Sequence, residues 1–288
     1  MPKRNTAFIC LILAALLLSS MRAGCQKPEA GSLPDTSPAA TSSADTSAVS
    51  PATEAAPETE APAPAVISIG GTDYPADIDR MDLILGAPGE GASAANLDKL
   101  ASFDKVSWLL LNEYEYAQEL SLEPLSKMPA LEELALAGHR GAVTGLENCS
   151  RLTAMQLVEC QDISLPALKL EGLNISRCEN LDWNSVGQLE NLLMLHLDDC
   201  FPEDMSFLPS LTRLHAISMV VHFDLIPEPE ALGNLPLTLT AGDEIPDWVP
   251  GDAAALKDFL KQEERELVIF VSPHASEDCR YCKRMAGN

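Results

Sequence analysis

The chain has 288 residues, with 43 acidic against 19 basic side chains and a formal charge of −24. A surface this acidic repels phosphate backbones and anionic lipid headgroups, because nucleic-acid affinity rests on Lys and Arg neutralising phosphates. The composition therefore argues against nucleic-acid binding and fits solubility outside a cell. No nucleotide loop, HExxH, GxSxG or convincing acid pair occurs either, so no enzyme class is indicated and no cofactor or metal is expected.

In chain order, Lys3 and Arg4 precede an apolar stretch from Ala7 to Leu18, and Ala23-Gly24 then lead to Cys25. A basic start, a short apolar run and small residues are the pattern of an export signal over residues 1–24. Small residues directly before a cysteine resemble the lipobox of bacterial lipoproteins, and the resemblance implies that Cys25 carries lipid. Arg22 departs from it, standing where that motif normally has an aliphatic residue. Ordinary cleavage near Gly24 and retention as an uncleaved anchor are the alternatives. Removal of residues 1–24 would take three basic residues and no acidic one, moving the charge from −24 to −27.

Residues 25–65 are almost entirely Pro, Ala, Ser, Thr and acidic residues, with only Leu33 and Val49 as large apolar side chains, too few to build a core. A flexible chain of this length spans about 35 Å, so the segment is expected to act as a tether. Residues 66–77 come after it: Val66-Ile67-Ser68-Ile69, then Gly70-Gly71, then Thr72-Asp73-Tyr74-Pro75. Paired glycines suit a tight turn, so this is expected to be a β-hairpin capping the segment beyond it.

From residue 78 to 244 a leucine frame recurs, clearest in Leu131-x-x-Leu134-x-Leu136 and Leu192-x-x-Leu195-x-Leu197-x-x-Cys200. It is placed eight times, at Ile78, Val106, Leu131, Leu152, Leu170, Leu192, Leu211 and Leu232, with 18 to 28 residues between starts. That spacing scatters around the period of about 20–29 residues of leucine-rich repeats. The fold expected is an α/β solenoid of leucine-rich repeats with a parallel β-sheet on the concave face. Several turns extend the frame backwards, as in Val186-x-x-Leu189-x-x-Leu192. The extended frame resembles the short repeats of internalin-like bacterial leucine-rich-repeat proteins, although His139, Cys160, Cys178, Cys200 and Thr240 replace the asparagine usual after each strand. The resemblance implies a fold and, more weakly, partner binding.

Side chains alternate along a strand, so residues between the leucines face the open side of the sheet. This frame puts Trp108, Met194 and Arg213 in one column and Leu110, His196 and His215 in the next. His196 and His215 would stand about 5 Å apart on adjacent strands, making a patch with Met194 and Arg213. Trp108 and Leu110 form a second, apolar spot, unless Trp108 packs beneath the 86–96 loop.

Cys160, Cys178 and Cys200 hold equivalent places in consecutive turns and are expected to form an inward ladder of thiols donating to backbone carbonyls, with Cys149 also in the core. Residues 245–288 change character, with a short helix over 253–266, a buried strand over 267–271 and then Cys279-Arg-Tyr-Cys282. Helix, strand and CxxC are similar to the approach to a thioredoxin-like active site, over about thirty residues only, and six residues follow Cys282. The pair is expected to close a local disulfide rather than catalyse exchange. His274 with these two thiols is one ligand short of a closed structural zinc site.

The function these features indicate is a non-catalytic, exported leucine-rich-repeat protein that binds a protein or glycan partner and is held to the outer face of a bacterial membrane through an N-terminal lipid. An exported thiol-disulfide protein using Cys279 and Cys282 is the alternative.

Overall fold

A computed structural model describes residues 65–85, 94–113, 121–222, 237–262 and 264–272. β1 (Val66–Ile69) and β2 (Thr72–Pro75) form the expected hairpin, with Ile69 paired to Thr72 and the turn glycines at φ 57° and 83°. It covers the first turn of the repeat array: Ile69 is buried, Ile67 packs on the core, and the Tyr74 ring meets Phe103 edge-on at 6.3 Å.

Seven parallel strands come next: β3 (Arg80–Ile84), β4 (Trp108–Asn112), β5 (Glu133–Ala137), β6 (Ala154–Val158), β7 (Gly172–Ser176), β8 (Met194–Asp198) and β9 (Ala216–His222). Their register is unbroken. Met81, Leu109, Leu134, Met155, Leu173, Leu195 and Ile217 lie side by side in one inward row, and Leu83, Leu111, Leu136, Leu157, Ile175, Leu197 and Met219 in a second. All are buried. The backward extension of the frame has an equally direct cause. The carbonyls of Leu125 and Met128, of Val186 and Leu189, and of Met205, Leu208 and Leu211 each accept from the N–H three residues on. A three-residue leucine spacing is the side-chain signature of that run of tight turns. Gly145 is fixed by close approach, since at φ +87° any Cβ there would run into the backbone of Glu123.

Two frame placements are corrected. The seventh strand uses Leu214-x-x-Ile217-x-Met219, not Leu211 and Leu214, because the chain adds one more three-residue turn, Leu211 carbonyl to Leu214 N–H, before the strand begins. The eighth placement fails differently. Leu237 lies in β10 (Leu237–Leu239), which is antiparallel and at the sheet edge, while Leu232 and Leu235 lie outside the described residues. The place beside β9 is taken by β11 (Glu266–Ser272), pairing over seven positions and carrying both inward rows onward through Leu267 and Ile269. The nine-stranded order is β10-β11-β9-β8-β7-β6-β5-β4-β3.

Among the described residues two short α-helices pack with these strands: α1 (Trp183–Val186), N-capped by Asp182, and α2 (Ala253–Leu260), whose Asp252 accepts from the N–H groups of Ala254 and Ala255. α2 and β11 lie where a helix and a strand are expected, but the helix ends at Leu260 rather than at residue 266, and Glu266 opens the strand. Arg265 fastens them, donating to the Thr212 carbonyl at 2.6 Å with its guanidinium 5.3 Å from the Phe259 ring. No helix among the described residues is long and apolar enough to cross a membrane. The whole arrangement fits a leucine-rich-repeat type of solenoid.

The ladder follows the strands. Cys160 donates to the Leu136 and Val158 carbonyls at 3.4 Å, Cys178 to Ser176 at 3.5 Å and Cys200 to Cys178 at 3.2 Å. The preceding residue in each turn, Gly138, Glu159, Arg177 or Asp199, takes positive φ, which turns the next side chain inward. A hydrogen bond to Cys178, with burial behind it, pushes the Cys160 thiol up, and burial followed by the nearby Glu147 charge raises Cys149 to about 11. Thiols raised in this way are poor nucleophiles.

Candidate functional site

The strand register defines the open face of the sheet as three columns. The first is Arg80, Trp108, Glu133, Ala154, Gly172, Met194 and Ala216; the second is Asp82, Leu110, Ala135, Gln156, Asn174, His196 and Ser218; the third begins with Ile84 and Asn112. Met194 and His196 are in the columns expected of them. Arg213 and His215 are not: both precede β9, exposed, and Arg213 donates to Asn191 at 2.7 Å. The frame shift explains this, because moving the strand start to Ala216 replaces His215 with Ser218 as the neighbour of His196. The sequence contained the signal, since only the later frame puts apolar residues at both Ile217 and Met219.

The two halves of the face differ. Across β7 to β9 it is buried, with a polar second column: His196 is 3% exposed, its Nδ1 is 3.0 Å from Ser218 Oγ, and Asn174 beside it is 2% exposed, its Oδ1 with no hydrogen-bond partner among the described residues. Burial pushes the His196 imidazole below its ordinary value of 6.5, with Asp198 pulling the other way. A depressed folded-state value means that the unfolded chain takes up the proton first as pH falls. His196 therefore contributes full stability above pH 6.5 and loses it as pH drops from there through the lower folded-state value. Urea midpoints measured from about pH 7.5 to about pH 5 should fall for the parent chain and fall less steeply for His196→Gln; parallel curves would show that His196 does not couple folding to pH.

Across β3 and β4, and at Glu133 of β5, the face is accessible. Ile84 is 68% exposed, Leu110 and Trp108 are half-buried, and the Arg80 guanidinium carbon stands 4.3 Å from the centre of the Trp108 ring. Arg80, Asp82 and Glu133 are exposed around them. Arg80 is thus the described group over Trp108, while residues 86–93 of the loop expected there lie outside the described residues, as do Cys25, Cys279 and Cys282. Ile84 is the residue that sequence reasoning missed; an apolar side chain one column beyond Leu110, on the outward side of the frame, is the signal that marks it.

No protein-family model matches the chain, and no curated protein sequence matches it. Among solved structures, it is similar to an internalin C2 from Listeria monocytogenes at 19% identity, over 46% of this chain and 76% of that one, with a TM-score of 0.31. It is also similar to an internalin (inlF) from the same organism at 18% identity, over 50% of this chain and 48% of that one, again with a TM-score of 0.31.

Proposed function

We propose that this is a non-catalytic, exported binding protein that takes a protein partner on the accessible β3–β5 end of the sheet and is tethered to a membrane through Cys25. The observation that carries the reading is the apolar spot of Ile84, Leu110 and Trp108 inside a rim of Arg80, Asp82 and Glu133. An apolar centre with a charged, solvated rim is the anatomy of protein interfaces, and a Trp held rigid by a neighbouring cation is a good anchor. The integration of β11 into the repeat sheet supports reading the C-terminal helix and strand as closure of the sheet rather than the start of a separate redox unit. The spacer composition of residues 25–65 supports an anchored N-terminus.

One experiment tests both parts. The Cys25→Ala chain should be released into the medium, whereas a chain still bound to membranes would count against lipid attachment. The released chain should capture a defined surface protein, and Ile84→Asp with Leu110→Asp should abolish that capture, because burying two new carboxylates removes the apolar contact. Capture that survives these changes would move the interface elsewhere.

A further inference from the structure

A second site lies beyond the C-terminal ends of the strands. The turns after β5, β6 and β7 extend the sheet by single parallel bridges, Arg140 to Gln161 and Gln161 to Glu179. In those turns Gly141, Asp162 and Asn180 take positive φ. The corresponding place after β8 is Pro202, whose ring holds φ near −65° and cannot follow. The stack opens there into a cleft of about 870 Å³, closed on its far side by residues 247–251. This volume falls within the range of ligand clefts.

Three half-buried aromatic side chains line it, Trp183, Phe201 and Trp248, and Trp183 is held by stacking on Phe207 with the ring centres 5.4 Å apart. Glu179, Asp199, Glu203 and Asp247 also line it, and among the described residues no Lys, Arg or His does. Aromatic faces attract cations through their quadrupole, and carboxylates at the same opening add charge attraction in a partly desolvated place. Neutral sugars could use the aromatic faces but would bring no opposite charge to Glu203 and Asp247.

We propose that this cleft binds the Lys or Arg side chains of a basic peptide segment on a partner polypeptide, a site separate from the β3–β5 face. The test uses the Cys25→Ala chain and a fluorescein-labelled peptide containing three arginines, followed by anisotropy at about 0.15 M salt, where charges beyond about 8 Å are screened. Glu203→Gln with Asp247→Asn should weaken binding roughly ten-fold, and Trp248→Leu, which leaves the charge unchanged, should do so by a similar factor. Asp73→Asn with Asp104→Asn removes the same charge at exposed positions near the N-terminal end of the sheet and should change affinity less than about two-fold. Circular dichroism melts establish that each variant is folded. Equal losses in the control would reduce the effect to the diffuse field of an acidic protein and overturn the proposal. So would full affinity in Trp248→Leu, or displacement of the peptide by a neutral oligosaccharide. Tighter peptide binding after neutralising Arg280, Lys283 and Arg284 would assign the cleft to the chain's own basic tail instead. Loss of capture at Ile84 and Leu110 with normal peptide binding here would separate this site from the β3–β5 interface.

Discussion

Leu195→Ala should cost about 2–5 kcal/mol, enough to lower the melting temperature by roughly 5–15 °C in a domain of this size. Leu195 is fully buried in β8, between Leu173 on one neighbouring strand and Ile217 on the other. Because each turn of a solenoid rests on its neighbours, a void in one row loosens two interfaces together, and the collapse that softens such losses elsewhere is opposed by strands held in register on both sides. Glu133→Ala is the control: it lies on the exposed face of β5, and its truncation should shift stability by no more than about 0.5 kcal/mol. Denaturant unfolding of both variants makes the comparison. Equal stability for Leu195→Ala and the parent chain would refute the inward row.

Why the sequence revealed so much of the fold and less of the site follows from the physics of the repeat. Two buried rows require apolar residues at fixed spacing, so Leu109, Leu134, Met155, Leu173 and Leu195 can be found without coordinates. The same spacing caused the error. Met205, Leu208, Leu211 and Leu214 continue a three-residue period into the strand, and a frame starting at either leucine satisfies its first two positions. The frame is settled only further on, by Ile217 and Met219. That slip carried His215 into the expected patch and left out Ser218. The end of the sheet was harder to read, because the neighbour of β9 comes from a segment that begins fifty residues after Ala216. Short-range periodicity cannot announce so distant a pairing. Burial of His196 was illegible for a related reason: a column position fixes which way a side chain faces but not what covers it.

The Glu113–His139 pair escaped sequence reasoning entirely, and it makes the second large prediction. His139 stands at the ladder place later held by Cys160, and Glu113 directly follows β4, one turn earlier. Both side chains are fully buried, and Nδ1 of His139 lies 2.9 Å from each carboxylate oxygen of Glu113. The other ring nitrogen, Nε2, is buried with no hydrogen-bond partner among the described residues. Glu113→Ala would therefore leave both nitrogens of a buried imidazole unsatisfied, at an expected cost of roughly 3 kcal/mol or more. Glu113→Gln keeps an acceptor of similar shape and should lose only about half as much. Truncating both partners removes the stranded polar group, so Glu113→Ala with His139→Ala should be less destabilised than the sum of the single changes. Urea unfolding of the four chains gives the coupling directly. Strict additivity would mean that the two side chains contribute independently, as neighbours in the core rather than as a pair.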